Sequence, residues 1–132
     1  MVRRRTLTSA ARRELTRPAL RTFFRIAEIW SLSADEQAML LGLSDIGTLQ
    51  RWRRGGVSRL SRDTLERISY VFGIFKSINM LLPRPERADA WMRAPNSAPL
   101  FRGRSALERM TAGNVGDLYA VRQYLDAEQA CC

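Results

Sequence analysis

The segment from Ser33 to Arg54, SADEQAMLLGLSDIGTLQRWRR, constrains the fold more than any other stretch, because its spacing admits little except two short helices joined by a glycine turn. Ser33 is placed to cap the first helix, and Glu36 to return a bond to that cap, while Ala38, Leu40 and Leu41 supply a packing face. Gly42-Leu43-Ser44 ends the helix, glycine being free to take a left-handed backbone; Ser44 or Asp45 then caps a second helix from about Asp45 to Arg54. This is the pattern of a helix-turn-helix.

On the second helix Ile46, Leu49 and the stem of Arg53 fall on the side that packs against the first. Thr48, Gln50, Arg51 and Arg54 face outward. With Ser44 in the turn they are the candidate DNA contacts: arginine suits guanine or phosphate, glutamine suits adenine, and the hydroxyls suit either. Trp52 reads as a core residue closing the helix pair rather than as a stacking platform. Spacing alone equally allows an ordinary helical hairpin with a solvated basic face.

Charge favours the nucleic-acid reading. The chain carries 22 Lys+Arg against 13 Asp+Glu, and the excess is uneven. Residues 1–67 hold 14 cations and 7 acids, whereas residues 68–132 hold 8 and 6. Lys76 is the only lysine, so nearly all the donors are planar forks that match phosphate oxygens and base edges. Residues 1–16, with Val2-Arg3-Arg4-Arg5 and then Arg12 and Arg13, read either as a basic arm reaching the phosphate backbone or as a solvated start. No apolar stretch follows those arginines and no segment has the length of a membrane span, so a soluble, cytoplasmic chain without membrane contact is expected. There is no histidine, and Cys131 and Cys132 sit side by side at the C-terminus. No metal site, catalytic residue or cofactor is therefore expected.

The rest reads as helix throughout. Pro18 marks a first helical turn, and Leu20, Phe23, Phe24, Ala27 and Trp30 recur at helical spacing. After Gly55-Gly56, Ser61 caps a long helix from Arg62 to Leu82, ended by Pro83 and Pro85. Leu65, Ile68, Phe72 and Phe75 form one apolar stripe on it, and Val71, Ile74, Ile78 and Leu81 form another. Such a wide surface places the helix either at the centre of the core or between two subunits, and we expect a homodimer. Residues 17–82 are thus expected to form a DNA-binding and dimerisation region. Beyond Pro83, a short helix over Pro85–Arg93 bearing Trp91 leads into the irregular loop Ala94–Gly103. Ser105 caps a helix to Ala112, Gly113-Asn114 breaks it, and a last helix runs from Val115 to Glu128. With its small net charge, the region 83–132 looks built for protein contacts.

Five blocks occur in an order similar to that of a known family: AEIWSLSADEQAMLLGLS, TLQRW, LSRDTLERISYVFGIFKSI, WMRAPNSAPLFRGRSALERMTAG and DLYAVRQYLDA. Over Phe23 to Ala127 the chain resembles the MbcA/ParS/Xre antitoxins. One departure is Ala106, where that family usually has proline after the serine. The resemblance implies an all-α fold with an Xre-like helix-turn-helix in the N-terminal half and a toxin-binding C-terminal half. It further implies a type II antitoxin that blocks the NAD pocket of a RES-domain toxin, an enzyme that consumes NAD or transfers from it, and that represses its own operon. The partners would be that toxin and operator DNA, with no small-molecule substrate of the chain's own.

On that reading the candidate toxin contacts are Trp91, Asn96, Phe101, Arg102, Arg104, Arg122, Tyr124 and the terminal stretch from Asp126 to Cys132. Trp91 and Phe101 also read as core residues, and the three arginines as solvated charge or as interface anchors. The alternative is a stand-alone dimeric helix-turn-helix repressor without a toxin. An enzyme is harder to sustain, since the chain lacks a Gly-rich phosphate loop, a histidine and a recognisable pair of carboxylates.

Overall fold

The computed structural model describes residues 8–131. Among these there are seven helices and no strand: α1 Ser9–Ile29, α2 Ala34–Leu41, α3 Ile46–Arg53, α4 Arg62–Leu81, α5 Pro85–Arg93, α6 Ala106–Met110 and α7 Val115–Ala130. The stretch Val2-Arg3-Arg4-Arg5 lies outside the described residues.

Local chemistry sets most of the boundaries. The Ser33 hydroxyl accepts from the Glu36 amide at 3.0 Å, and the Ser33 amide donates to the Glu36 carboxylate at 2.8 Å, so the expected reciprocal cap starts α2. Ser61 caps α4, and Ser105 with Glu108 forms a second reciprocal cap on α6. That cap is intact with Ala106 in place of proline, and Ala106 is fully buried. The helix expected over Ala106 to Ala112 behind the Ser105 cap is shorter, ending at Met110, and the last helix, expected to end at Glu128, reaches Ala130.

One expectation fails at Pro18, which does not begin a helix. Thr8 caps α1 by accepting from the Ala11 amide at 3.1 Å, and Pro18 lies in the middle of the helix. A proline there forfeits one backbone bond and crowds the preceding turn, at about 3 kcal/mol. The helix continues because Pro18 is on its exposed side while Thr16, Leu20, Phe23, Ile26 and Ala27 are buried.

The second departure concerns α4. Val71, Ile74 and Ile78 are fully buried, Ile68 is buried, and Leu65 and Phe75 pack against the core. The helix is a spine, with α1 against it and α7 packed along much of its length. The two stripes that suggest a second subunit are therefore mostly covered within the chain, leaving Phe72 at 44% exposure and Met80 outside. The same cluster continues through Met92, Phe101, Leu107, Met110, Leu118, Val121 and Leu125, so the N- and C-terminal regions share one core.

Gly42 shows how tightly the helix-turn-helix is joined to that spine. Its φ is +75°, and a Cβ there would lie 2.8 Å from Nε of Arg67 on α4. Gly42→Ala combines a left-handed backbone with a steric conflict. We expect it to lower stability by about 2 kcal/mol, measured by urea denaturation with an unchanged m value.

Candidate functional site

The second helix of the pair, α3, is fixed from three sides. Leu49 is buried against the core. The guanidinium of Arg53 lies over the Phe24 ring of α1, 4.6 Å from its centroid, and also donates to the Gln37 side chain of α2. Gln37 in turn donates to the Leu32 carbonyl at 3.0 Å. Arg53 thus does more than pack its stem, as a cation over an aromatic face adds electrostatic attraction. Trp52 is half-buried and packed against the core.

The two ends of α3 are equally defined. Asp45 accepts from the Thr48 amide at 2.7 Å, and the Thr48 hydroxyl donates to Asp45 at 3.0 Å. These two bonds, the amide first, hold the Asp45 carboxyl below its ordinary range. Thr48 is half-buried, and its hydroxyl hydrogen is tied to the cap. At the other end Gly55 and Gly56 donate to the carbonyls of Trp52 and Arg51, with Gly55 at φ +85°, a Schellman termination. A Cβ on Gly56 would meet the Arg51 stem at 2.5 Å. Gln50, Arg51 and Arg54 are exposed on α3, and Ser44 is exposed in the turn before it. What remains is a short helix with a rigid seat and an outward edge of arginine and glutamine, the chemistry of base and phosphate contact.

A second constellation lies in the C-terminal region. Trp91, Phe101 and Tyr124 stack edge to face, with centroids 5.9 Å and 5.1 Å apart and Phe101 in the middle. Phe101 is 2% exposed. Of the two readings open for Phe101, core residue and partner contact, its burial matches the core: it is the internal support of Trp91 and Tyr124, which are half-buried. Burial, and secondarily the nearby Glu128, push the Tyr124 hydroxyl above its ordinary range. Asn96 is likewise inward-working: its side chain accepts from the Ala98 amide at 2.9 Å, and its backbone pairs with Arg104 and Gly103. It shapes the loop that carries the arginines.

Arg102 sits at φ +53°, a conformation a non-glycine residue rarely takes. Arg102 and Arg104 are exposed and line a cleft of about 270 Å³ with Leu100, Phe101, Glu108, Arg109 and Ala112. An aromatic patch rimmed by arginine is the composition of a protein-binding surface. Arg122 and Asp126 are used internally. Arg122 lies across α4 where Gly73 leaves room for it, a Cβ there falling 1.7 Å from its guanidinium. Its Nε is 3.3 Å from Asp126, and Asp126 also accepts from the Ser77 hydroxyl at 3.2 Å.

Two arginines that sequence reading passed over bind the regions together. Arg67, 9% exposed, pairs with Asp63 at 2.9 Å and donates to the carbonyls of Met39 and Gly113. Arg93 donates to Glu36 and to the carbonyls of Trp30 and Ser31. Burial alone would raise the Glu36 carboxyl; the bonds from Arg93 and Ser33 outweigh it and leave the group below its ordinary range. Asp63, four residues before Arg67, is a local partner, but Met39 and Gly113, and every partner of Arg93, are distant along the chain, so the clamping role of either arginine has no local sequence signal. Among the described residues no group of three or more His, Cys, Asp or Glu could hold a metal ion, and no helix is long and apolar enough to cross a membrane.

Comparison with known proteins agrees with this division. Residues 9–73 match the antitoxin Xre-like helix-turn-helix domain, and residues 77–130 match the antitoxin Xre/MbcA/ParS C-terminal toxin-binding domain. The chain is also 47% identical over 110 residues to "Uncharacterized protein y4oB" of Sinorhizobium fredii (strain NBRC 101917 / NGR234), covering 83% of each. The two matched regions meet inside α4, so both are built on one continuous helix.

Proposed function

Since the chain belongs to the Xre/MbcA/ParS antitoxin family, with a helix-turn-helix and a toxin-binding domain, we propose that it neutralises a RES-domain toxin by closing that enzyme's NAD pocket and that it represses its own operon. The observation that carries this reading is the pairing, on one spine, of an arginine-edged recognition helix with an aromatic and arginine surface in the matched toxin-binding region. Ser44, Gln50, Arg51 and Arg54 face the operator, while Trp91, Tyr124, Arg102 and Arg104 face the toxin. The segment from Asp126 onward closes the pocket. Two copies would read a two-fold operator, and Phe72 and Met80 are exposed apolar residues of α4 available for that contact.

Deletion from Asp126 onward tests the closing segment. Leu118, Val121 and Leu125 are retained, so the apolar packing of α7 on α4 is kept while the bond from Ser77 to Asp126 is lost. We expect the shortened chain to bind DNA as before but to lose toxin inhibition, measured as a fall in cellular NAD when toxin is co-expressed. Unchanged NAD would show that the pocket is closed by another part of the chain.

A further inference from the structure

Four arginines of α1, Arg13, Arg17, Arg21 and Arg25, follow one another at every fourth position, and all are exposed. None takes part in a described hydrogen bond or ion pair, although Glu14 and Glu28 lie on the same helix. Like charges at this spacing repel one another and weaken a helix, so the arrangement calls for a compensating role. Its direction is informative. At about 100° per residue, Arg13, Arg17 and Arg21 fall within roughly 80° of arc, and Phe24 falls inside that arc. Phe24 is the residue on which Arg53 of the recognition helix rests. The arginine row is therefore on the flank of α1 that adjoins α3, where Arg51 and Arg54 are also exposed.

We propose that Arg13, Arg17 and Arg21 form a second nucleic-acid surface that grips the phosphate backbone beside the site read by α3. The proposal rests on the DNA-reading role of α2 and α3 and adds a contact that role does not supply. The row extends on the order of 12 Å along the helix axis. Duplex DNA offers one charge per about 1.7 Å of its own axis, so several phosphates lie within reach of three flexible guanidinium forks. Contacts of this kind carry no base preference; they set register and affinity, and leave discrimination to α3.

The test measures the affinity of the full chain for two duplexes of equal length, one carrying the DNA upstream of its own gene and one scrambled, across a range of salt concentrations. For the R13A/R17A/R21A variant we expect the slope of log affinity against log salt to fall by about 2 to 3 on both duplexes. The ratio of the two affinities should stay unchanged. The lysine variant R13K/R17K/R21K should keep most of the slope, and the alanine variant should melt no lower than wild type because a repulsive row is removed. An unchanged slope, or a loss confined to the upstream duplex, overturns the proposal. So does a variant that keeps its slope but no longer co-purifies with a protein partner, since the row would then belong to that partner. Absence of any preference between duplexes in the wild type would count against the reading role of α3, whereas the slope on the scrambled duplex would still judge the arginine row.

Discussion

Replacing Arg51 and Arg54 together with alanine should reduce operator affinity about 100-fold while leaving toxin neutralisation intact. Both side chains are exposed on α3, and neither carries the fixings of that helix, which are Leu49, Arg53 and the Asp45 cap. Each well-made arginine contact to a base edge is worth about 1–3 kcal/mol of discrimination, so losing two costs about 3 kcal/mol or more. The proposed toxin surface around Trp91, Arg102 and Tyr124 shares no residue with this edge. Gel-shift titration of the double variant, paired with a growth assay in the presence of toxin, measures the two activities separately. Loss of both together would mean that the two surfaces are coupled.

Arg67→Met should produce the opposite pattern, weakening both activities at once. Arg67 is nearly buried and joins three elements: its own helix at Asp63, the C-terminal end of α2 at Met39, and the corner before α7 at Gly113. Methionine keeps much of the stem but supplies no donor, leaving two carbonyls and a carboxylate without it. The expected cost is about 3 kcal/mol, as for other buried charged donors whose partners are left behind. For a chain of this size that corresponds to a fall in Tm on the order of 10 °C. Thermal melting followed by circular dichroism reads it directly, and a melt within a degree of wild type would remove Arg67 from its role as a clamp.

These two arginine sites also mark what can be read without a structure. The caps at Ser33, Asp45, Ser61 and Ser105, and the left-handed Gly42, are local events, each settled by residues within a turn of one another. They were legible for that reason. Arg67 and Arg93 look like any other surface cation, and Arg53 offers only a stem spaced for packing, until the fold brings Gly113, Trp30 and Phe24 to them. Pro18 misled because local rules place proline at a helix start, whereas burial of the residues around it carried α1 past it. Phe101 was weighed both as core and as contact, and only packing between Trp91 and Tyr124 decides which. The breadth of the α4 apolar surface was correctly seen, but sequence could not reveal that α1 and α7 cover it from two sides.

Co-expression with the protein encoded beside it, scoring growth, co-purification and cellular NAD, tests most directly the proposal that this antitoxin silences a NAD-consuming partner. The account predicts that the neighbour alone arrests growth and depletes NAD, and that this chain restores both and co-purifies with it. A neighbour that is harmless, leaves NAD unchanged and does not bind would contradict the claim and favour a stand-alone repressor.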